Sequence, residues 1–126
     1  MYKVETDQKI ISKAIARFQR ISPYKVRRVV KQIKGRPVEE VLTILSMLKH
    51  VRGAGFLHKV VHSAYANAKH NEEFKGTLKV SHVLIDQALI MKRFQARSKG
   101  RAFPIKKRYS HIAVFLSELA GSNHKE

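Results

Sequence analysis

Apolar positions recur at helical spacing in three stretches of the chain and alternate in three others. From Tyr24 to Lys34, Val26, Val29, Val30 and Ile33 share one face, while Lys25, Arg28 and Lys31 fall away from it. Ser22-Pro23 gives a helix start, since serine can cap open N–H groups and proline fits the first turn. Gly35 and Pro37 end that helix. A second helix is expected from about Val38, with Glu39 and Glu40 where the helix dipole favours acids and with Val41, Leu42, Leu45 and Leu48 as its apolar face. Gly53 and Gly55 interrupt the chain. A third helix, about Ala54 to Lys69, would bury Leu57, Val60, Val61, Ala64, Tyr65 and Ala68, and its alanine-rich end (63–68) predicts close approach to a neighbouring element. Ala14 to Ile21 alternates imperfectly through Ile15, Phe18 and Ile21 and predicts a short strand. Leu78–Ile85 and His111–Leu116 predict two more, with Ile112, Val114 and Leu116 opposite Ala113 and Phe115. Three helices and three strands make a small α+β domain.

The stretch between the last two strands is ambiguous. Residues 77–99 contain neither glycine nor proline. A strand of about 16 residues would reach roughly 50 Å at ~3.3 Å per residue. A globule of this size is only about 35 Å across, so a strand here must bend or project. Local propensity favours a helix slightly: residues 87–99 are rich in helix formers, and Leu89, Ile90 and Phe94 fit one helical face.

Composition sharpens the picture. The 126 residues fit one domain, and 44% are hydrophobic, enough for a core. Lys plus Arg number 26 against 9 acids, for a net charge of +17. The excess sits in two blocks. Residues 8–38 hold ten basic residues and 87–117 hold eight, neither block containing an acid, whereas 39–86 hold six basic and five acidic residues. A solubilising surface mixes signs; acid-free blocks point to a polyanion contacted on several sides or along a groove. With no cysteine there is no disulfide framework, thiol catalysis or Cys-based zinc site. No apolar run approaches the roughly 18 residues of a membrane span, and the first ten residues lack an apolar signal region. The expectation is a soluble protein that stays in the compartment where it is made, or one already processed. His58 and His62 have ligand spacing without a third donor, Glu39-Glu40 and Glu72-Glu73 are adjacent pairs that diverge on a helix, and no serine sits in a nucleophile elbow. The expectation is a protein that is not an enzyme and uses no cofactor or metal.

Three stretches together carry a resemblance. Ile21–Gly35 (ISPYKVRRVVKQIKG), Val60–Asn71 (VVHSAYANAKHN) and Lys92–Ile112 (KRFQARSKGRAFPIKKRYSHI) are similar, in order and spacing, to signatures of the large-subunit ribosomal protein L22 family. The resemblance spans about residues 14–118. It implies three helices packed on a three-stranded antiparallel sheet whose second and third strands extend into a long protruding β-hairpin. This replaces the helix expected at 87–99. The implied organisation is one domain: a body at about 14–80 and 112–118, a hairpin at about 81–111, and tails at 1–13 and 119–126. The arms would run from about Ser81 to Gln95 and from Arg101 to His111. The tip would be Ala96, Arg97, Ser98, Lys99 and Gly100.

The implied function is that of a structural constituent of the large ribosomal subunit. The protein would bind large-subunit ribosomal RNA in several domains, stabilise its fold during assembly, and touch neighbouring ribosomal proteins. Its tip would help line the exit tunnel and meet the nascent peptide. On the hairpin, Lys92, Arg93, Arg97, Lys99, Arg101, Lys106, Lys107 and Arg108 would neutralise RNA phosphates. Met91 and Phe94 would pack on bases or riboses. Ser98, Gly100 and His111 complete the expected hairpin contacts. On the body, Arg17, Arg20, Lys25, Arg27, Arg28, Lys31 and Arg36 would form a second RNA face, with Asn67, Lys69, His70 and Asn71 adding contacts at the end of the third helix. The chain departs from the family pattern in three places. Ala88-Leu89 replaces a common Gly-Pro, Ala96 a common proline before Arg97, and Phe103 a common aspartate. The AFPIKK run at 102–107 leans toward plastid rather than bacterial members, so the expected location is a ribosome of the chloroplast stroma or the bacterial cytoplasm.

Two other readings of the residues stand beside this one. One is a basic nucleic-acid-binding protein outside the ribosome, though no recognition helix or dimer surface is evident. The other is a membrane-surface or calmodulin-binding helix at 87–99. The ribosomal reading expects no membrane partner.

Overall fold

The computed structural model describes residues 9–48, 51–70 and 76–119. Strand β1 (Ile10–Gln19) leads into helix α1 (Pro23–Ile33), then α2 (Val38–Met47) and α3 (Ala54–His70), before the long strands β2 (Leu78–Ala96) and β3 (Ala102–Glu118). The sheet is antiparallel in the order β1-β3-β2. Its central strand turns Ile112, Val114 and Leu116 toward the helices, where they join Val26, Val29, Ile33, Val41, Leu45, Leu57, Val61 and Val80 in one core. The fold is the α+β arrangement of three helices on a three-stranded sheet, with β2 and β3 prolonged as a hairpin.

The helical faces follow the apolar spacing closely. Leu57, Val60, Val61, Ala64 and Ala68 of α3 are buried, and Tyr65 is half-buried. The alanine-rich end lies against β1: the Ser12 hydroxyl donates to the Ala64 carbonyl at 2.8 Å, and Asn67 Nδ2 donates to the Lys13 carbonyl at 3.1 Å. Other local expectations need correction. Ser22 makes no side-chain cap; its backbone carbonyl instead accepts from the N–H groups of Lys25 and Val26. Gly55 lies within α3, and the turn before that helix belongs to Gly53 alone, at φ +99°. Strand β1 stops at Gln19 rather than Ile21, because the chain turns there, with Ile21 N–H bonding back to the Gln19 carbonyl at 2.8 Å, and sends Ile21 into the core.

Residues 87–96 are strand, which overturns the helix that local propensity prefers. Every residue from Ile90 to Ala96 has a cross-strand partner, from Ile90 opposite Arg108 to Ala96 opposite Ala102. A continuous partner strand supplies the backbone bonds that a helix would otherwise make internally. At ~3.3 Å per residue, the 19 residues of β2 span roughly 60 Å, well beyond the body. Register shifts mark where the long strand bends. Ser81 is extra between Val80 and His82, and Ala88-Leu89 faces the single Tyr109. A bulge gives a strand a local kink.

Candidate nucleic-acid interface

The geometry of the basic residues follows from where β1 ends. Its last pair is Gln19 with Ser110, whereas β2 accompanies β3 outward to Ala102. Beyond Ser110, β3 therefore has a strand on one edge only. All residues from Met91 to Lys107 are exposed, Phe94 to 73%. Directly opposed residues in an antiparallel ladder share a face. One face of the arm thus carries Met91, Arg93, Gln95, Phe103, Ile105 and Lys107, and the other Ile90, Lys92, Phe94, Pro104, Lys106 and Arg108. Lys92 stands directly across from Lys106, a like-charge pair that disfavours the isolated ladder and that an anion between them would relieve.

The connection between the arms is residues 97–101. Arg97 N–H donates to the Arg101 carbonyl at 2.6 Å, and Ser98–Gly100 form a single 3₁₀ turn. Both Lys99 (φ 63°) and Gly100 (φ 69°) are left-handed, a strain that a lysine tolerates less well than a glycine. The Arg97 guanidinium lies 5.8 Å from the Phe103 ring centre, a cation–π approach that orients one tip cation back along the arm.

On the body, α1 runs along β2. Arg27 Nη2 donates to the Ile85 carbonyl at 2.8 Å near one end, and Gly35 N–H donates to the Val80 carbonyl at 2.8 Å at the other. Arg27 is therefore a clamp between helix and sheet as well as a surface cation. Its guanidinium and that of Arg108 each lie 5.8 Å from the centre of the exposed Tyr24 ring, which ties the N-terminal end of α1 to the root of the arm. Arg36, at the opposite end, forms an exposed ion pair with Glu40 at 2.6 Å. Such a pair is worth only about 0.3–0.5 kcal/mol and exchanges readily for a phosphate.

Two groups of the expected residues stand apart. Arg20, Lys25, Lys106, Lys107 and Arg108 gather where the body meets the arm. Asn67, Lys69 and His70 end α3, which starts beside α1 at Gly53 and rises ~24 Å to its far end, away from that junction. There Asn67 already holds Lys13, and Lys69 Nζ sits 4.5 Å from the Tyr65 ring centre. Arg28 and Lys31 are exposed on α1. Asn71 lies outside the described residues.

His111 has a role inside the fold. Its Nδ1 accepts the N–H of Phe18 at 3.1 Å, so its ring proton resides on Nε2, and the Phe18 ring stands edge-on at 4.8 Å. Phe18 has φ +54° in the bulge where Arg17-Phe18 faces His111, an uncommon conformation for a bulky residue, and it leaves the ring 57% exposed. Sequence reasoning also passed over Arg52, Tyr24 and Phe56. Arg52 was hidden by the ordinary charge balance of the middle of the chain, and only its place before Gly53 hinted at a turn.

Among the described residues no three His, Cys, Asp or Glu side chains cluster to hold a metal, and no helix is long and apolar enough to cross a membrane. A body bearing an acid-free, fully exposed two-stranded arm defines a class: structural proteins that dock on a polyanion. A family profile described as ribosomal protein L22p/L17e matches residues 14–117, and the chain belongs to that family, which is structural rather than enzymatic. Similar proteins include "large ribosomal subunit protein uL22c" of Chlorokybus atmophyticus, 48% identical over 111 residues that cover 87% of this chain and 92% of the relative. The protein "large ribosomal subunit protein uL22" of Maridesulfovibrio salexigens is 46% identical over 112 residues, covering 86% and 98%. That of Finegoldia magna is 44% identical over 108 residues, covering 85% and 96%.

Proposed function

We propose that this protein is a structural constituent of the large ribosomal subunit of a plastid or bacterium. It binds large-subunit ribosomal RNA, holds several RNA domains together during assembly beside neighbouring ribosomal proteins, and lines the nascent-peptide exit tunnel with the tip of its arm. The observation that carries this reading is the arm itself: residues 91–107 are exposed throughout and contain no acid. A cationic ribbon of that length gains little from its own body and much from surrounding phosphates. Within the hairpin of residues 81–111, the exposed outer part 91–107 acts as the RNA-embedded unit, and the buried root with the remainder of the fold acts as its anchor. Lys92, Arg93, Arg97, Lys99, Arg101, Lys106, Lys107 and Arg108 neutralise backbone, Met91 and Phe94 pack on bases or riboses, and Ser98 to Gly100 face the peptide.

A shortened arm tests the RNA contact. Replacing Phe94–Pro104 by Asn-Gly joins Arg93 to Ile105, which are already paired, through a turn suited to a two-residue hairpin. The change removes Arg97, Lys99 and Arg101. Binding to large-subunit ribosomal RNA across a salt series should weaken, with the log–log slope shallower by about two to three, at ~0.7–0.9 per phosphate contact. An unchanged slope would show that the arm is no RNA anchor. For the tip, the absence of cysteine allows Ser98→Cys to carry a single crosslinker. In assembled subunits translating a stalled peptide, crosslinks from position 98 to the nascent chain are expected; crosslinks to RNA alone would remove the peptide contact.

A further inference from the structure

The root of the arm, the corner between β1 and α1, and the turn before α3 enclose a cleft of about 690 Å3. Arg20, Lys25 and Arg52 line it from the body, and Lys106, Lys107 and Arg108 from the arm. Ile21, Phe56 and Ile105 provide apolar lining, and no carboxylate of the described residues lines it. Three distant parts of the sequence are brought to one place by two features. The first is the end of β1 at Gln19, which leaves the outer edge of β3 open above Arg20 to Ser22. The second is Gly53, where a Cβ would lie 3.3 Å from the Val26 Cα at a φ of +99°. Glycine alone seats that turn flush on α1, and it brings Arg52 to the same cleft as Lys25.

Six cations around one concavity repel one another unless an anion enters. Phosphate recognition alone would not call for the half-buried Phe56 and the exposed Ile105 among them. An RNA duplex presents its phosphates to such a surface and leaves the apolar lining unused. An unpaired nucleotide uses both, since its phosphates meet the cations and its base packs on an aromatic ring. We propose that this cleft receives one flipped-out nucleotide from a bulge or loop of RNA, with Arg52 on its phosphate and Phe56 and Ile105 against its base. This rests on the RNA-binding reading above and adds to it a place, a nucleotide state and three residues.

The probe is a short RNA duplex with and without a single bulged nucleotide, titrated against the full chain and three variants. The full chain should bind the bulged RNA about fivefold or more tightly than the unbroken duplex, the lower range for one base stacked on an aromatic. Arg52→Gln, at an exposed position, should lower affinity for the bulged RNA and make its salt slope shallower by about 0.7. Phe56→Leu should erase the preference for the bulge while leaving the slope unchanged, with circular dichroism checking its fold. The shortened arm, which retains Ile105 to Arg108, should bind both RNAs more weakly and keep the preference. Equal binding of the two RNAs by the full chain would overturn the nucleotide site, as would an unaltered preference in both point variants. Tighter binding of a polyglutamate peptide than of bulged RNA would assign the cleft to an acidic protein partner instead. Failure of the RNA reading itself has a separate signature, an unchanged slope in the shortened arm.

Discussion

His82 sits where two kinds of pressure act on one side chain. The Ser81 hydroxyl, extra in its bulge, donates to the Phe115 carbonyl at 3.1 Å, so its oxygen accepts from His82 Nδ1 at 3.2 Å. Burial first, then the nearby Lys34 and Lys79, push the imidazole below its ordinary pKa. A depressed folded-state value means that the unfolded chain binds the proton first as pH falls. His82 therefore costs nothing above the unfolded pKa of ~6.5, and it destabilises the fold increasingly below it until the folded form also titrates. Urea unfolding at pH 7.5 and pH 5 should lose more stability in the natural chain than in His82→Gln; equal losses would place the pH response elsewhere. Arg27 teaches a related lesson. It belongs to the same basic block as Arg28, yet it bonds to Ile85, while Arg28 is exposed on α1. Composition cannot separate the two.

At the scale of the element, the arm is a strand by partnership rather than propensity. Residues 87–96 would form a passable helix alone, but β3 offers an unbroken antiparallel ladder that fixes them extended. Nothing in the body depends on its outer half. The buried residues of the strands end at Ile85 on β2 and begin at Ser110 on β3. Replacing Phe94–Pro104 by Asn-Gly should therefore leave the urea unfolding free energy within about 0.5 kcal/mol of the natural chain, as for surface changes that touch no core. A larger loss would mean that the arm supports the body, and would complicate its reading as an RNA ribbon. The helix expectation failed here because periodicity over a short apolar run does not distinguish a helix from a strand whose partner lies outside the run, on β3.

For the whole molecule, the controlling number is the net charge of +17. The cleft cations and the opposed Lys92 and Lys106 concentrate repulsion where the arm leaves the body. Raising salt from about 10 mM to about 150 mM shrinks the screening length from roughly 30 Å to 8 Å. The urea midpoint should rise over that interval, and a polyanion should raise it further by binding the folded state. A midpoint that falls with salt would show that exposed attractive pairs such as Arg36–Glu40 outweigh the repulsion.

The sequence alone determined the helical faces, the three strands, the acid-free charge blocks and, through three motifs in register, the family and its hairpin. These are local or additive properties: apolar spacing selects a face, and charge can be counted. Tertiary structure decided the rest. It brought Arg52 into one cleft with Lys25 and Lys106, and it bonded Asn67 to Lys13 and His111 to Phe18. It also split the expected interface between the arm's root and the far end of α3. The cleft depends on where β1 stops along β3 and on how closely Gly53 lies on α1. Both are contacts between distant residues that no local pattern encodes.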